Sequence, residues 1–216
     1  YSDAGASSCS SCPTDYKNTG TEASSHAGAE SCIITVSGGY YIGTAGDNSS
    51  NWDKCAGGTY KAQHTVAYGT KSSCATCSAG YYCPAGASGQ TPCGGNTKYS
   101  SSGASACSTV SSGYYSTGGT STTRTGQTKC EAGNYCSGGV KTPCGGGKYS
   151  AAGATSCSNI TAGCYGTSAS SSCPAVCATN TYSDAGASSC SSCPTDYKNS
   201  GDTAASHAGS ASCKIT

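Results

Sequence analysis

Nineteen cysteines in 216 residues are the side chains of this sequence best placed to do chemistry. Reduced, they could hold a soft metal or act as nucleophiles; oxidised, they would staple the backbone. Three Cys-x-x-Cys pairs, Cys9/Cys12, Cys74/Cys77 and Cys190/Cys193, have the spacing used by zinc ribbons and thiol oxidoreductases. A ribbon needs two converging pairs, and an oxidoreductase pair needs a βαβ surround. Here the pairs are scattered among other cysteines in a Gly- and Ser-rich chain without helical periodicity. Disulfide formation is therefore the expected chemistry, with no metal and no cofactor. Such density predicts an oxidising setting, extracellular or at the cell surface.

The remaining reactive groups form no convincing catalytic set. His26 and His207 occupy one repeat position in a polar loop, and His64 stands near Lys61 and Tyr68; all three read as solvated surface residues. Asp3, Asp15, Asp184 and Asp196 come with the repeat, while Asp47 and Asp53 flank a divergent stretch; turn-forming roles suit them better than a glycosidase pair. No Gly-x-Ser-x-Gly elbow, phosphate loop or His-Glu-x-x-His is present, so no enzyme is expected. Modification is better supported. Asn48-Ser49-Ser50 and Asn159-Ile160-Thr161 are acceptor sequons for N-linked glycan in a secreted chain. Trp52, the single tryptophan, suits either a lateral contact or packing on the Cys55 staple.

Composition then says what must position these groups. The chain has no Leu, Phe or Met, and only five Val and five Ile, too few for burial to organise it. A formal charge of +1 without a basic stripe argues against nucleic acid as a partner. No stretch approaches the ~18 apolar residues of a membrane span. Neither an initiating Met nor a signal-like start stands at Tyr1, so the gene product is expected to begin upstream.

Architecture follows from repetition. Tyr1–Asn18 recurs letter for letter at Tyr182–Asn199, and 26 of the 32 positions up to Cys32 and Cys213 are identical, at an offset of 181. A looser period lies inside. Tyr-Ser-x-x-Gly-Ala-x-x-Cys occurs at Tyr1–Cys9, Tyr99–Cys107, Tyr149–Cys157 and Tyr182–Cys190; Cys-x-x-Gly-x-Tyr-Cys occurs at Cys77–Cys83 and Cys130–Cys136, each followed by Thr-Pro-Cys. These phrases divide the chain into modules at 1–37, 38–75 (divergent), 76–115, 116–163, 164–181 (connecting) and 182–216 (the next copy). The fold expected is small disulfide-rich modules in tandem: mostly coil with short β-hairpins, an elongated rod without a large hydrophobic core.

The phrases at Cys77–Cys107, Cys130–Cys157 and Tyr182–Cys190 resemble the ephrin-receptor-like cysteine-rich repeat, a relative of growth-factor-receptor and TNF-receptor modules. The likeness covers about two thirds of the chain and is weak over Ile33–Ser73; Cys107 and Cys157 also lack the second Cys that follows Cys9 and Cys190 by three. Arrays of this composition are similar to ciliate surface antigens and the shaft proteins of tubular mastigonemes. The resemblance implies rods without catalysis. Its one-to-three, two-to-four habit implies Cys77–Cys93 with Cys83–Cys107, Cys130–Cys144 with Cys136–Cys157, and Cys164–Cys177 with Cys173–Cys190. That leaves Cys12–Cys32, Cys55–Cys74 and Cys193–Cys213. A simpler scheme pairs Cys93–Cys107, Cys144–Cys157 and Cys177–Cys190. Both put the partner of Cys190 upstream of Tyr182, so Cys9 is expected to bond to an earlier copy or a neighbouring subunit. The function expected is a structural extracellular fibre, flagellar-hair or surface-coat protein, whose partners are its own copies and glycans. The alternative is a ligand-binding or antigenic ectodomain using the divergent segment around Ile42, Trp52 and His64.

Overall fold

A computed structural model describes residues 1–215. Among them the only helical elements are four short 3-10 turns, Ala23–His26, Ala29–Ser31, Ala204–His207 and Ser210–Ser212, at matching places in the two repeat copies. Everything else regular is a two-stranded ladder, eleven in all among the described residues, and every pair with a recorded register is antiparallel. Most are two residues long, such as Tyr81–Tyr82 with Thr91–Pro92 and Lys148–Tyr149 with Ser158–Asn159. Short strands are what the sequence can support: Tyr, Thr and Val favour extended backbone, while Gly, Ser and Pro interrupt it every few residues. The tandem of small disulfide-stapled modules, mostly coil, is the observed fold class.

The chain divides into two compact units. The first comprises Tyr1–Gly94, Tyr99–Ser108 and Gly119–Thr125, and the second takes Gly95–Lys98, Thr109–Gly118 and the chain from Gly126 onward. The first unit contains a small apolar cluster of Tyr16, Cys32, Ile34, Val36, Ile42 and Val66. It is built by the ladder of Ile33–Val36 with His64–Ala67, which joins residues on both sides of position 37. Alternation along Ile33–Val36 turns Ile34 and Val36 inward, and Ile34 pairs directly with Val66. The second unit has a smaller cluster of Ile160, Cys164 and Ala169. Neither is a large core.

Nine disulfides bridge eighteen of the cysteines. Cys12–Cys32, Cys55–Cys74 and Cys193–Cys213 form as expected. The simpler scheme's Cys93–Cys107, Cys144–Cys157 and Cys177–Cys190 also form, and the interleaved pairing does not. Instead of Cys77–Cys93 with Cys83–Cys107, the chain forms Cys77–Cys83 and Cys93–Cys107. In place of Cys130–Cys144 with Cys136–Cys157, it forms Cys130–Cys136 and Cys144–Cys157. In place of Cys164–Cys177 with Cys173–Cys190, it forms Cys164–Cys173 and Cys177–Cys190. The cause is local in the first two cases. Gly80 and Gly133 adopt φ of +85° and +81°, where glycine has no steric penalty, and reverse the chain inside Cys-x-x-Gly-x-Tyr-Cys. The second cysteine returns to within 6.0 Å (Cα–Cα) of the first at Cys77–Cys83, and both residues are fully buried. Cys9 is unpaired and exposed.

Candidate functional site

The recurring structural device is the seam between a glycine turn (at Gly80, Gly133 and Gly163) and the Tyr-Ser phrase that follows it; the first two seams lie inside the 76–115 and 116–163 divisions, and the third joins two of them. In each of three places the Ser of a Tyr-Ser-x-x-Gly phrase is buried: Ser100 at 2 %, Ser150 at 4 % and Ser183 at 3 % exposure. Each hydroxyl donates to a backbone carbonyl of the turn segment upstream of its phrase. The pairs are Ser100 to Tyr81 at 2.7 Å, Ser150 to Asn134 at 2.6 Å and Ser183 to Cys164 at 2.8 Å. In every case the acceptor is the residue after a positive-φ glycine, Gly80, Gly133 or Gly163. That glycine's own N–H returns a bond to the serine carbonyl, at 2.9, 3.0 and 3.0 Å respectively. A third bond closes the seam. The phrase glycine N–H donates to the carbonyl three residues before the turn glycine: Gly103 to Cys77, Gly153 to Cys130 and Gly186 to Ile160, each 2.8 Å.

Two of these seams repeat the Cys-x-x-Gly turn; the third replaces its first cysteine by Ile160, which is fully buried. The geometry is therefore set by the turn and not by the sulfur. A second close approach accompanies it. The carbonyls of the phrase glycines Gly103, Gly153 and Gly186 lie where a Cβ would stand on Gly58, Gly113 and Gly147, so only glycine fits there. Each net hydrogen bond contributes about 1 kcal/mol, and the buried serine hydroxyls would lose more if unpaired. No titratable group participates. The seam recognises peptide backbone and places each Tyr-Ser phrase on the turn before it.

The groups singled out by residue type are placed as follows. His207 is fully buried, not solvated, and its Nδ1 and Nε2 face the carbonyls of Thr181 and Gly201, both at 2.9 Å. His26, its repeat equivalent, is half-buried and faces only the Gly20 carbonyl, at 2.8 Å. His64 links the Ala62 carbonyl to the Ser72 hydroxyl, and Ser72 in turn accepts the Ile42 N–H. All three histidines are positioning residues for backbone. Trp52 packs against the Tyr16–Val66 cluster and lies 6.4 Å from Tyr40, and its buried indole N–H has no partner among the described residues. With Asp15, Lys17, Ile34 and Ser49 it lines a shallow groove of about 350 Å³. Asn48 accepts the Ser50 N–H at 3.0 Å in an Asx turn, and Asn159 is exposed and accepts Lys148 Nζ at 3.4 Å. Of the Cys-x-x-Cys pairs, every member except Cys9 is bonded to a cysteine outside its own pair.

Electrostatics is sparse. Glu131 and Lys141 form an exposed ion pair at 3.2 Å, with the Lys141 ammonium 4.7 Å from the Tyr115 ring centre. Its own backbone N–H, then the Tyr115 hydroxyl, hold the Glu131 carboxyl below its ordinary value; the carboxylate raises Lys141. Burial raises the Tyr16 phenol, whose hydroxyl donates to the Asp47 carbonyl at 2.8 Å. Asp15 is lowered, first by the Ser49 hydroxyl at 2.5 Å and then by the Ser49 N–H. A depressed carboxylate stabilises the fold above its unfolded value of about 3.9 and loses that contribution as pH falls through its lower folded value. Acidification below about 3.9 is thus expected to weaken the Asp15–Ser49 contact beside Trp52. The emission of the sole tryptophan reads this, and Asp15→Asn should remove that transition.

Tyr16 and Ile34 are each 4 % exposed, covered by Ile42, Val66 and Tyr68 of the segment that follows. The seam serines were missed from sequence because Ser is abundant everywhere; their fixed place after the phrase tyrosine was the available signal. A scan of protein-family models and a search of curated proteins return no match to this chain.

Proposed function

We propose that this chain is part of an extracellular structural array: a fibre, flagellar-hair or surface-coat protein built from disulfide-stapled repeats added head to tail. The observation that carries the reading is the seam, the same hydroxyl-to-carbonyl bond and two backbone bonds made at Ser100, Ser150 and Ser183 by segments of differing sequence. A rule that joins each phrase to the turn segment before it has no built-in end, and repeats in contact mainly with neighbours make linear objects whose length follows copy number. Nine bridges suit such an object to an oxidising exterior, where cross-links replace a core. The reading assigns no catalysis. N-glycan at Asn48 and Asn159 would shield ladder edges from sideways pairing. Among the described residues no helix is long and apolar enough to cross a membrane.

Electron microscopy of native material should show filaments of regular period, and glycopeptide mass spectrometry should find Asn48 occupied. Dispersed particles with both sequons bare would overturn the reading. One observation favours the alternative, a ligand-binding ectodomain: the groove beside Trp52 with its unpartnered indole N–H. That alternative requires a soluble ligand whose capture is lost in Trp52→Ala.

A further inference from the structure

The module that opens the chain is repeated at Tyr182, and the two copies differ in what meets their upstream edge. In the second copy that edge is fully engaged. Ser183 donates to Cys164 O, its carbonyl accepts from Gly163, Gly186 N–H donates to Ile160 O, His207 Nδ1 faces Thr181 O, and Cys190 is bonded to Cys177. The Gly186 carbonyl nests against Gly147. The first copy has the same residues in the same local arrangement. Ser2 and Gly28 N–H are 2.9 Å apart through the Ser2 carbonyl, as are Ser183 and Gly209 N–H, and the isolated bridges Ser2↔Ala27 and Ser183↔Ala208 coincide. Yet among the described residues the Ser2 hydroxyl and His26 Nδ1 have no acceptor, Gly5 meets nothing, and Cys9 is free and exposed.

We infer that the edge formed by Ser2, Gly5, Cys9 and His26 is a docking surface for residues 144–181 of a further copy of the repeat, locked by a disulfide from Cys9 to that copy's residue at position 177. The inference rests on the array reading and names its joint. The occupant is argued from the molecule itself, because this stretch covers the identical edge at Tyr182. The lock forms by thiol–disulfide exchange with a small disulfide such as oxidised glutathione. The arriving Cys177 thiolate first takes up one glutathione as a mixed disulfide, releasing the other as a thiol. The Cys9 thiolate then attacks the Cys177 sulfur and expels the second glutathione. Two protein thiols become one disulfide, and one glutathione disulfide becomes two thiols. The backbone bonds of the seam come first and set the specificity, since any exposed thiol could undergo exchange.

The test adds residues 144–181 ahead of Tyr1 in the full chain, alongside the unextended chain and one extended by a scrambled segment that keeps its cysteine positions. Folding proceeds in a glutathione buffer, followed by alkylation and disulfide mapping. Cys9 should be alkylated in the unextended chain and joined to the added Cys177 in the extended one, with the Ser2 amide exchanging at least tenfold more slowly. A synthetic segment 144–181 carrying its two internal bridges provides an intermolecular arm. It should couple to Cys9 at least tenfold faster than the scrambled segment, and Ser2→Val should abolish the advantage. If Cys9 in the extended chain stays alkylatable, or couples equally with the scrambled extension, the inference fails. Regular native filaments alongside that result would leave the array reading intact and remove only this joint. Selective coupling in material that forms no filaments would do the reverse.

Discussion

Gly147→Ala is expected to open the seam between the modules that meet at Ile160 and Gly186, whereas Gly69→Ala is expected to be tolerated. Both glycines have positive φ, +69° and +81°, so a side chain strains both backbones by about 1–2 kcal/mol. They differ in what a Cβ would meet: nothing within 4 Å at Gly69, and the Gly186 carbonyl oxygen at Gly147. A carbonyl in a hydrogen-bonded seam cannot yield as a flexible side chain would. The Gly186 N–H to Ile160 bond and the Ser183 to Cys164 bond should loosen with it. The added loss of about 3 kcal/mol corresponds to roughly 100-fold faster amide exchange at Gly186. Gly113→Ala, facing the Gly153 carbonyl, should behave like Gly147→Ala. Equal exchange in Gly147→Ala and Gly69→Ala would show that the close approach carries no weight.

Complete reduction should unfold the chain, and the individual bridges should differ by loop length. In the chain-entropy account a six-residue loop contributes roughly 2 kcal/mol and a twenty-residue loop roughly 3 kcal/mol. Cys77–Cys83 and Cys130–Cys136 close separations of 6, and Cys12–Cys32 and Cys193–Cys213 close separations of 20. Paired Cys→Ser replacement at 193 and 213 should therefore destabilise more than at 77 and 83, while removal of all nine bridges takes on the order of 25 kcal/mol from the folded state. That exceeds the net stability of ordinary domains, about 5–15 kcal/mol. Near- and far-ultraviolet circular dichroism after reduction at neutral pH reads the outcome. Retention of the folded spectrum would mean that burial organises the chain after all. The two small clusters around Ile34 and Ile160 make the partial result informative, because residual order should persist at the first and not in the modules between Cys77 and Cys157.

Much of this architecture was legible in the residues. The 181-residue repeat, the shortage of aliphatics and the spacing of the cysteines together require tandem stapled modules with short strands, since no other source of order is available. An upstream partner for Cys190 followed from both pairing schemes, and Cys177 is that partner. Connectivity followed only in part: the simpler scheme's Cys93–Cys107, Cys144–Cys157 and Cys177–Cys190 form, but Cys77–Cys83, Cys130–Cys136 and Cys164–Cys173 were in neither scheme. Whether Cys77 meets Cys83 or Cys93 depends on a chain reversal at Gly80, and a family habit is no guide to a turn. The apolar cluster was also hidden, because the divergent stretch looked like the weakest module. Only the register of Ile33–Val36 against His64–Ala67 gathers four scattered aliphatics with Tyr16.

Sequence by itself determined that the module at Tyr1 and the module at Tyr182 share one local fold, down to their 3-10 turns and their bridges Cys12–Cys32 and Cys193–Cys213. It could not determine that Tyr16 is buried beneath Ile42 and Val66, or that His207 is enclosed between the carbonyls of Thr181 and Gly201, because Ile42, Val66 and Thr181 are distant along the chain. Local backbone geometry depends on neighbours along the chain, which the two copies share. Burial and hydrogen-bond satisfaction depend on neighbours in space, and only tertiary structure supplies those.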